Sequence, residues 1–196
     1  MRRRLVLLLP LLAAGCVVEA PPPPPNYVPP SYAYLTPLRL RVASIEIGDD
    51  WQPSAGGADL SPMSPLPPVD ALRRMAQDRL VAAGNSGRAV FTIEDAAIVQ
   101  TYAGLSGHFE VRLDIYTSGE TRAAYAEASV ARTLTEPPGG AEALQPALYS
   151  LTRQMMDDMN VELEYQVRHS LADWLENSSA ASPVPVPVQQ QPLPPP

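Results

Sequence analysis

Apolar side chains recur along the middle of the chain with two periods, and the order in which those periods alternate predicts the fold. Leu38, Leu40 and Val42 alternate with Arg39 and Arg41; the phase then slips, and Ile45 and Ile47 carry the apolar face. A single strand over 38–47 with a bulge near Ala43-Ser44 reconciles the two phases, because an uncorrected slip turns every side chain to the wrong face. Leu72, Ala76, Leu80 and Ala83, with Met75 beside them, form the stripe of a helix over 69–83. Asp70 suits its start and Gly84-Asn85 its stop. Phe91 and Ile93 share one phase and Ile98 takes the other, which predicts a strand over 89–100 with an irregularity near Asp95-Ala96.

Phe109, Val111, Leu113 and Ile115 alternate with Glu110, Arg112, Asp114 and Tyr116, the pattern of a strand with one wet face. Thr117-Ser118-Gly119-Glu120 reads as a hairpin turn. The strand after it, 122–134, puts Ala124, Ala126, Ala128 and Val130 on one face, small enough for a helix to lie close. From Glu142 a stripe of Leu148, Thr152, Met155, Met159, Leu163, Val167, Leu171 and Trp174 predicts a helix roughly 50 Å long at 1.5 Å per residue. Pro146 falls in its first turn, where a missing N–H costs little. The expected fold is α+β: a two-layer sandwich, a four-stranded mostly antiparallel sheet with two helices on one face, in the order β-α-β-β-β-α. The long helix exceeds the width of four strands. Its end, with Val167, Leu171 and Trp174, is therefore expected to overhang and, with Trp51, to form a partner surface.

Proline sets the limits of that domain, with 24 in 196 residues. Residues 16–37 hold the block Pro21 to Pro25 and three further prolines among tyrosines, which predicts an extended polyproline spacer. The domain is expected over 38–176, with a long irregular loop at 49–68 that Trp51, Leu60, Met63 and Leu66 are placed to pin down. Residues 177–196 read as an unfolded proline-rich tail.

Residues 1–15 have the form of a signal peptide: Arg2, Arg3 and Arg4, an apolar run from Leu5 to Leu12, then small residues before Cys16, the only cysteine. The run is shorter than the roughly 20 residues that span a bilayer. Small residues ending in cysteine resemble the lipobox of Gram-negative bacterial lipoproteins, although Ala13 stands where that family favours leucine. The resemblance implies a diacylglycerol (palmitate-bearing) thioether at Cys16 and export to the periplasm. Val17 replaces the aspartate that retains such proteins at the inner membrane, so the outer membrane is the expected address. Removing the leader leaves 11 arginines, no lysine and 21 acids, a net charge of −10. An acidic domain is a poor partner for a phosphate backbone, and no nucleic-acid role is expected.

The inventory for catalysis is thin. His108 and His169 lack neighbours at ligand spacing, and a lipidated Cys16 leaves no thiol, so neither zinc nor another cofactor is expected. Gly104-Leu105-Ser106-Gly107 does not have the spacing of a nucleophile elbow. Asp158 and Glu162 are four apart on the second helix and could share a divalent cation. Arg153–Asp157 and Glu164–Arg168 instead have the spacing of solvated helix pairs. Met155, Met156 and Met159 read as core filling before binding surface. No acid, base and nucleophile set can be assembled, so the chain is not expected to be an enzyme.

By topology, residues 38–171 resemble the LPS-assembly lipoprotein family. The stretch Ala71 to Leu80 and the helix Met155 to Leu171 are closer to uncharacterised envelope lipoproteins of high-GC Gram-negative bacteria. These resemblances imply a non-enzymatic accessory on the periplasmic face of the outer membrane that binds an envelope protein. Lipid or LPS transport and regulation of cell-wall synthesis are the alternatives.

Overall fold

The computed structural model describes residues 26–53, 59–135 and 139–176. The leader 1–15, Cys16 and the tail 177–196 lie outside the described residues. In chain order the elements are β1 (Leu38–Leu40), β2 (Ser44–Asp49), α1 (Pro68–Arg79), β3 (Leu80–Ala82), β4 (Arg88–Thr101), β5 (Gly104–Tyr116), β6 (Arg122–Leu134) and α2 (Ala141–Ser170). The fold is α+β. Its main sheet has the order β2-β4-β5-β6, with β2 parallel to β4 and the other pairs antiparallel. Both helices pack on one face, α1 towards β2 and β4, α2 along β6 and β5. Between the layers lie Phe91, Ile93, Phe109, Val111, Leu113, Met155 and Met159, all fully buried.

Two features of the hydrophobic pattern reappear as geometry. The register of β4 on β5 shifts between Ile93 and Asp95, which keeps Ala96 and Ile98 on the buried side with Phe91 and Ile93. Ala126 and Ala128 are buried, and at Gly107 on the neighbouring strand a Cβ would overlap Met155 Sδ. Small residues here set the distance from sheet to helix.

The expected first strand is two strands in two sheets. β1 pairs in parallel with β3, Leu38 opposite Leu80 and Leu40 opposite Ala82, while β2 pairs with β4. The phase slip at residues 43–44 is therefore a change of sheet, where the expectation was a bulge. The expected helix over 69–83 is shorter for the same reason. Leu80 adopts φ −100°, ψ 128° and continues as β3, so its side chain stays buried in an extended backbone.

The second sheet also corrects the overhang. The chain after α2 folds back as a short 3-10 turn, Ala172–Trp174, and runs antiparallel to β1. Arg41 N donates to Trp174 O at 2.7 Å and Glu176 N to Arg39 O at 2.8 Å. Val167 and Leu171 are fully buried, in one cluster with Leu38, Leu40, Val42 and Leu80. The far half of α2 turns both residues into the core and presents neither to a partner.

The folded unit begins before residue 38. Tyr32 is 3% exposed, and its backbone N–H donates to Asp78 Oδ2 on α1 at 2.8 Å. Tyr149 Oη on α2 donates to Val28 O at 2.7 Å, with the ring of Tyr27 5.0 Å away. Residues 26–37 are thus a strap across both helices, where a free spacer was expected. The Tyr32 hydroxyl has no hydrogen-bond partner among the described residues. Burial, with Asp157 nearby, holds its phenol well above the usual range. Tyr32→Phe keeps the ring and removes the stranded hydroxyl, so urea unfolding should show stability unchanged or raised by up to about 1 kcal/mol.

The 59–68 part of the long loop is well packed. Leu60 and Leu66 are buried as expected, whereas Met63 is 54% exposed. Ser61 Oγ accepts from Ile98 N at 2.7 Å and donates to Ala96 O at 3.0 Å, which ties the loop to β4 at its irregular stretch.

Candidate functional site

The face of the main sheet away from the helices is open, and its strands bring distant charges together. Strand alternation sends Glu94, Glu110, Arg112, Asp114, Tyr125 and Glu127 to this side. Register sets Arg112 opposite Glu127, and Asp114 opposite Tyr125. Arg112 Nη1 donates to Glu94 Oε1 at 2.7 Å, while its Nε lies 3.9 Å from Asp114 Oδ2 and its Nη2 3.9 Å from Glu127 Oε2. Asp114 is 7% exposed and meets Arg122 at 3.4 Å. Both guanidinium groups stand over the Tyr125 ring, at 5.5 and 5.4 Å. At the turn end Arg88 covers Tyr116 at 4.5 Å and pairs with Glu120 at 2.7 Å.

Glu94, Glu110 and Glu127 each contribute a carboxylate oxygen to a group within 4.8 Å. Oxygen donors so spaced suit a hard divalent cation, but Arg112 already donates into the group. One guanidinium against three carboxylates leaves the row acidic. Burial, a hydrogen bond that the protonated Glu110 carboxyl donates to Glu127, and the nearby acids hold the Glu110 carboxyl above the usual glutamate range. The folded state therefore keeps that proton to higher pH than the unfolded chain does. Its stabilising effect is complete below the unfolded pKa of about 4.3 and is lost as pH rises through the folded value. Urea midpoints from pH 4 to 7 should fall by less in Glu110→Gln than in the wild type, and the variant should be the more stable at pH 7.

The residues singled out from the sequence fall elsewhere. Trp51 is half-buried and, with Pro53, Ser61, Pro62, Pro67, Pro68 and Val69, lines an apolar hollow of about 180 Å³. Trp174 is half-buried beside β1. Neither joins Val167 or Leu171 in an exposed patch. Asp158 accepts from Arg132 Nη2 at 2.7 Å, and Glu162 from Gln166 at 2.8 Å, so the two acids serve different partners. Glu164–Arg168 forms at 2.9 Å, whereas no Arg153–Asp157 ion pair occurs among the described residues. Met155, Met156 and Met159 are fully buried, as core filling requires. His108 Nδ1 lies 2.9 Å from Asp95 Oδ2, and His169 stacks on Tyr165 at 5.9 Å.

The sequence places Glu110, Arg112 and Asp114 on the wet face of one strand, but no single strand shows which acids its neighbours add. Only register gathers Glu94, Glu110 and Glu127; the irregularity near Asp95 was the one local signal.

No family model and no curated protein matches the chain. Among solved structures it is similar to the hypothetical protein CT253 from Chlamydia trachomatis. The two are 8% identical, with a TM-score of 0.43 over 71% of this chain and 99% of that one.

Proposed function

We propose that this chain is a non-enzymatic lipoprotein, anchored through Cys16 to the periplasmic face of the outer membrane, that binds an envelope protein. The observation that carries the reading is in the sequence: a basic and apolar leader ends on the only cysteine, and a proline block begins at Pro21. The domain adds support. The described fold begins at residue 26, so residues 17–25, five of them proline, stand between Cys16 and the strap. Among the described residues no helix is long and apolar enough to cross a membrane. Lipid carriage would need an apolar groove between sheet and helices. Phe91, Phe109, Met155 and Met159 fill that space, which favours a protein partner over a transported lipid.

Mass spectrometry of the mature protein tests the anchor. The expected N-terminus is an acylated Cys16, in the outer-membrane fraction, and Cys16→Ser should leave the leader attached. An unmodified thiol on the wild-type protein would overturn the reading.

A further inference from the structure

We infer that the outer edge of β6 takes up an extended, lysine- or arginine-bearing segment of the partner protein as a fifth strand. This rests on the protein-binding role proposed above and names the surface and the chemistry it recognises. Three observations converge on that edge.

β6 is last in the main sheet, and no strand among the described residues pairs with its outer side. Its 13 residues, Arg122–Leu134, contain no proline, one of the devices by which sheets blunt a free edge. The opposite edge, β2, has only six residues. A strand added at β6 gains main-chain hydrogen bonds, and pockets for alternate side chains supply selectivity.

Such a pocket is present. A cleft of about 200 Å³ lies where β6 meets α2, lined by Arg132, Thr133, Leu134, Ser150, Leu151 and Gln154. Side chains of an added strand that point to the helix side would enter it.

The open face decides the chemistry. Glu94, Glu110 and Glu127 form a row across β4, β5 and β6, and Glu127 stands on the edge strand with its side chain 44% exposed. An incoming strand places every second side chain on this face, beside Glu127. Opposite charges in such cross-strand positions stabilise pairing, and like charges oppose it. A cationic side chain there adds positive charge beside Glu127, since Arg112 and Arg122 on this face already serve Glu94 and Asp114. A second copy of this chain fits poorly, since edge-to-edge pairing would set two acidic rows side by side.

The test uses the full mature protein and a capped synthetic peptide, Lys-Val-Lys-Thr-Lys-Val-Lys. Fluorescence anisotropy should show binding, and hydrogen exchange should slow at β6 amides between Ala124 and Arg132. The same peptide with alternate amides N-methylated on its pairing edge should lose binding. A glutamate-for-lysine peptide should not bind the wild type. Glu127→Lys should weaken the lysine peptide about tenfold, while circular dichroism shows the fold retained.

Absence of binding, equal binding of the methylated peptide, or no discrimination by charge would overturn the inference. So would a protein already dimeric, with β6 amides protected before peptide is added. Each of those results leaves acylation of Cys16 untouched. Loss of acylation would in turn leave the peptide result standing, so the two readings fail separately.

Discussion

Replacing Glu164 with alanine is expected to lower the unfolding free energy by about 3 kcal/mol, the low end for breaking a buried ion pair because the carboxylate is partly exposed. The reason lies in its partner. Arg79, in the last turn of α1, is 1% exposed; its Nη1 donates to Thr36 O in the N-terminal strap at 2.9 Å, and its Nη2 pairs with Glu164. The Arg79 Nε has no partner among the described residues. Removing Glu164 would strand a buried cation with one carbonyl for company. Arg79→Met in the same background should recover much of the loss, because the apolar replacement needs no counter-charge. Urea midpoints of the wild type, both single variants and the double variant check this. A loss in the double variant equal to the sum of the two singles would show that the pair is not coupled.

The same carboxylate should make the protein sensitive to acid. Burial pushes the Glu164 carboxyl up, but hydrogen bonds from Arg168 and Arg79 outweigh it and hold the group below the usual glutamate range. Stability from the pair is therefore present above the unfolded pKa and lost as pH falls through the folded one, opposite in sign to Glu110. Glu164→Ala should flatten the acid limb of the stability profile.

Gly84→Ala should cost about 2–3 kcal/mol, the upper range for overpacking a site that cannot relax. A Cβ at Gly84 would press on Arg41 O and Val42 N, both at 2.7 Å. These are backbone atoms in the turn that carries the chain from β1 to β2. The adjoining main chain is already committed: Gly84 N donates to Val42 O at 2.9 Å and Ala83 N to Leu40 O at 2.7 Å. Neither side can retreat without breaking the small sheet. Thermal and urea unfolding would both report the loss, and Gly48→Ala, where a Cβ meets nothing within 4 Å, is the control. If the Gly84 variant unfolds like that control, the close approach is not a constraint.

The sequence alone determined the layers. Strict alternation in β5, the stripe of α2 and the small residues of β6 require one sheet face packed under a long helix. Those features are local, since a period of two or of 3.6 is visible wherever one face of one element is buried. The phase change in β4 was legible too, and the structure places the register shift between Ile93 and Asp95. Tertiary structure decided what belongs to no single element. Leu38–Leu40 and Leu80–Ala82 are too short to be told from a strand's start and a helix's end, and only their mutual pairing makes them a second sheet. The chain after α2 turns back onto that sheet, and Val167 and Leu171 join its leucines in one buried cluster. Pairing across a gap of forty residues leaves no periodic trace in either segment. The acidic row on the open face arises in the same way, from register between strands, which no single stretch of chain records.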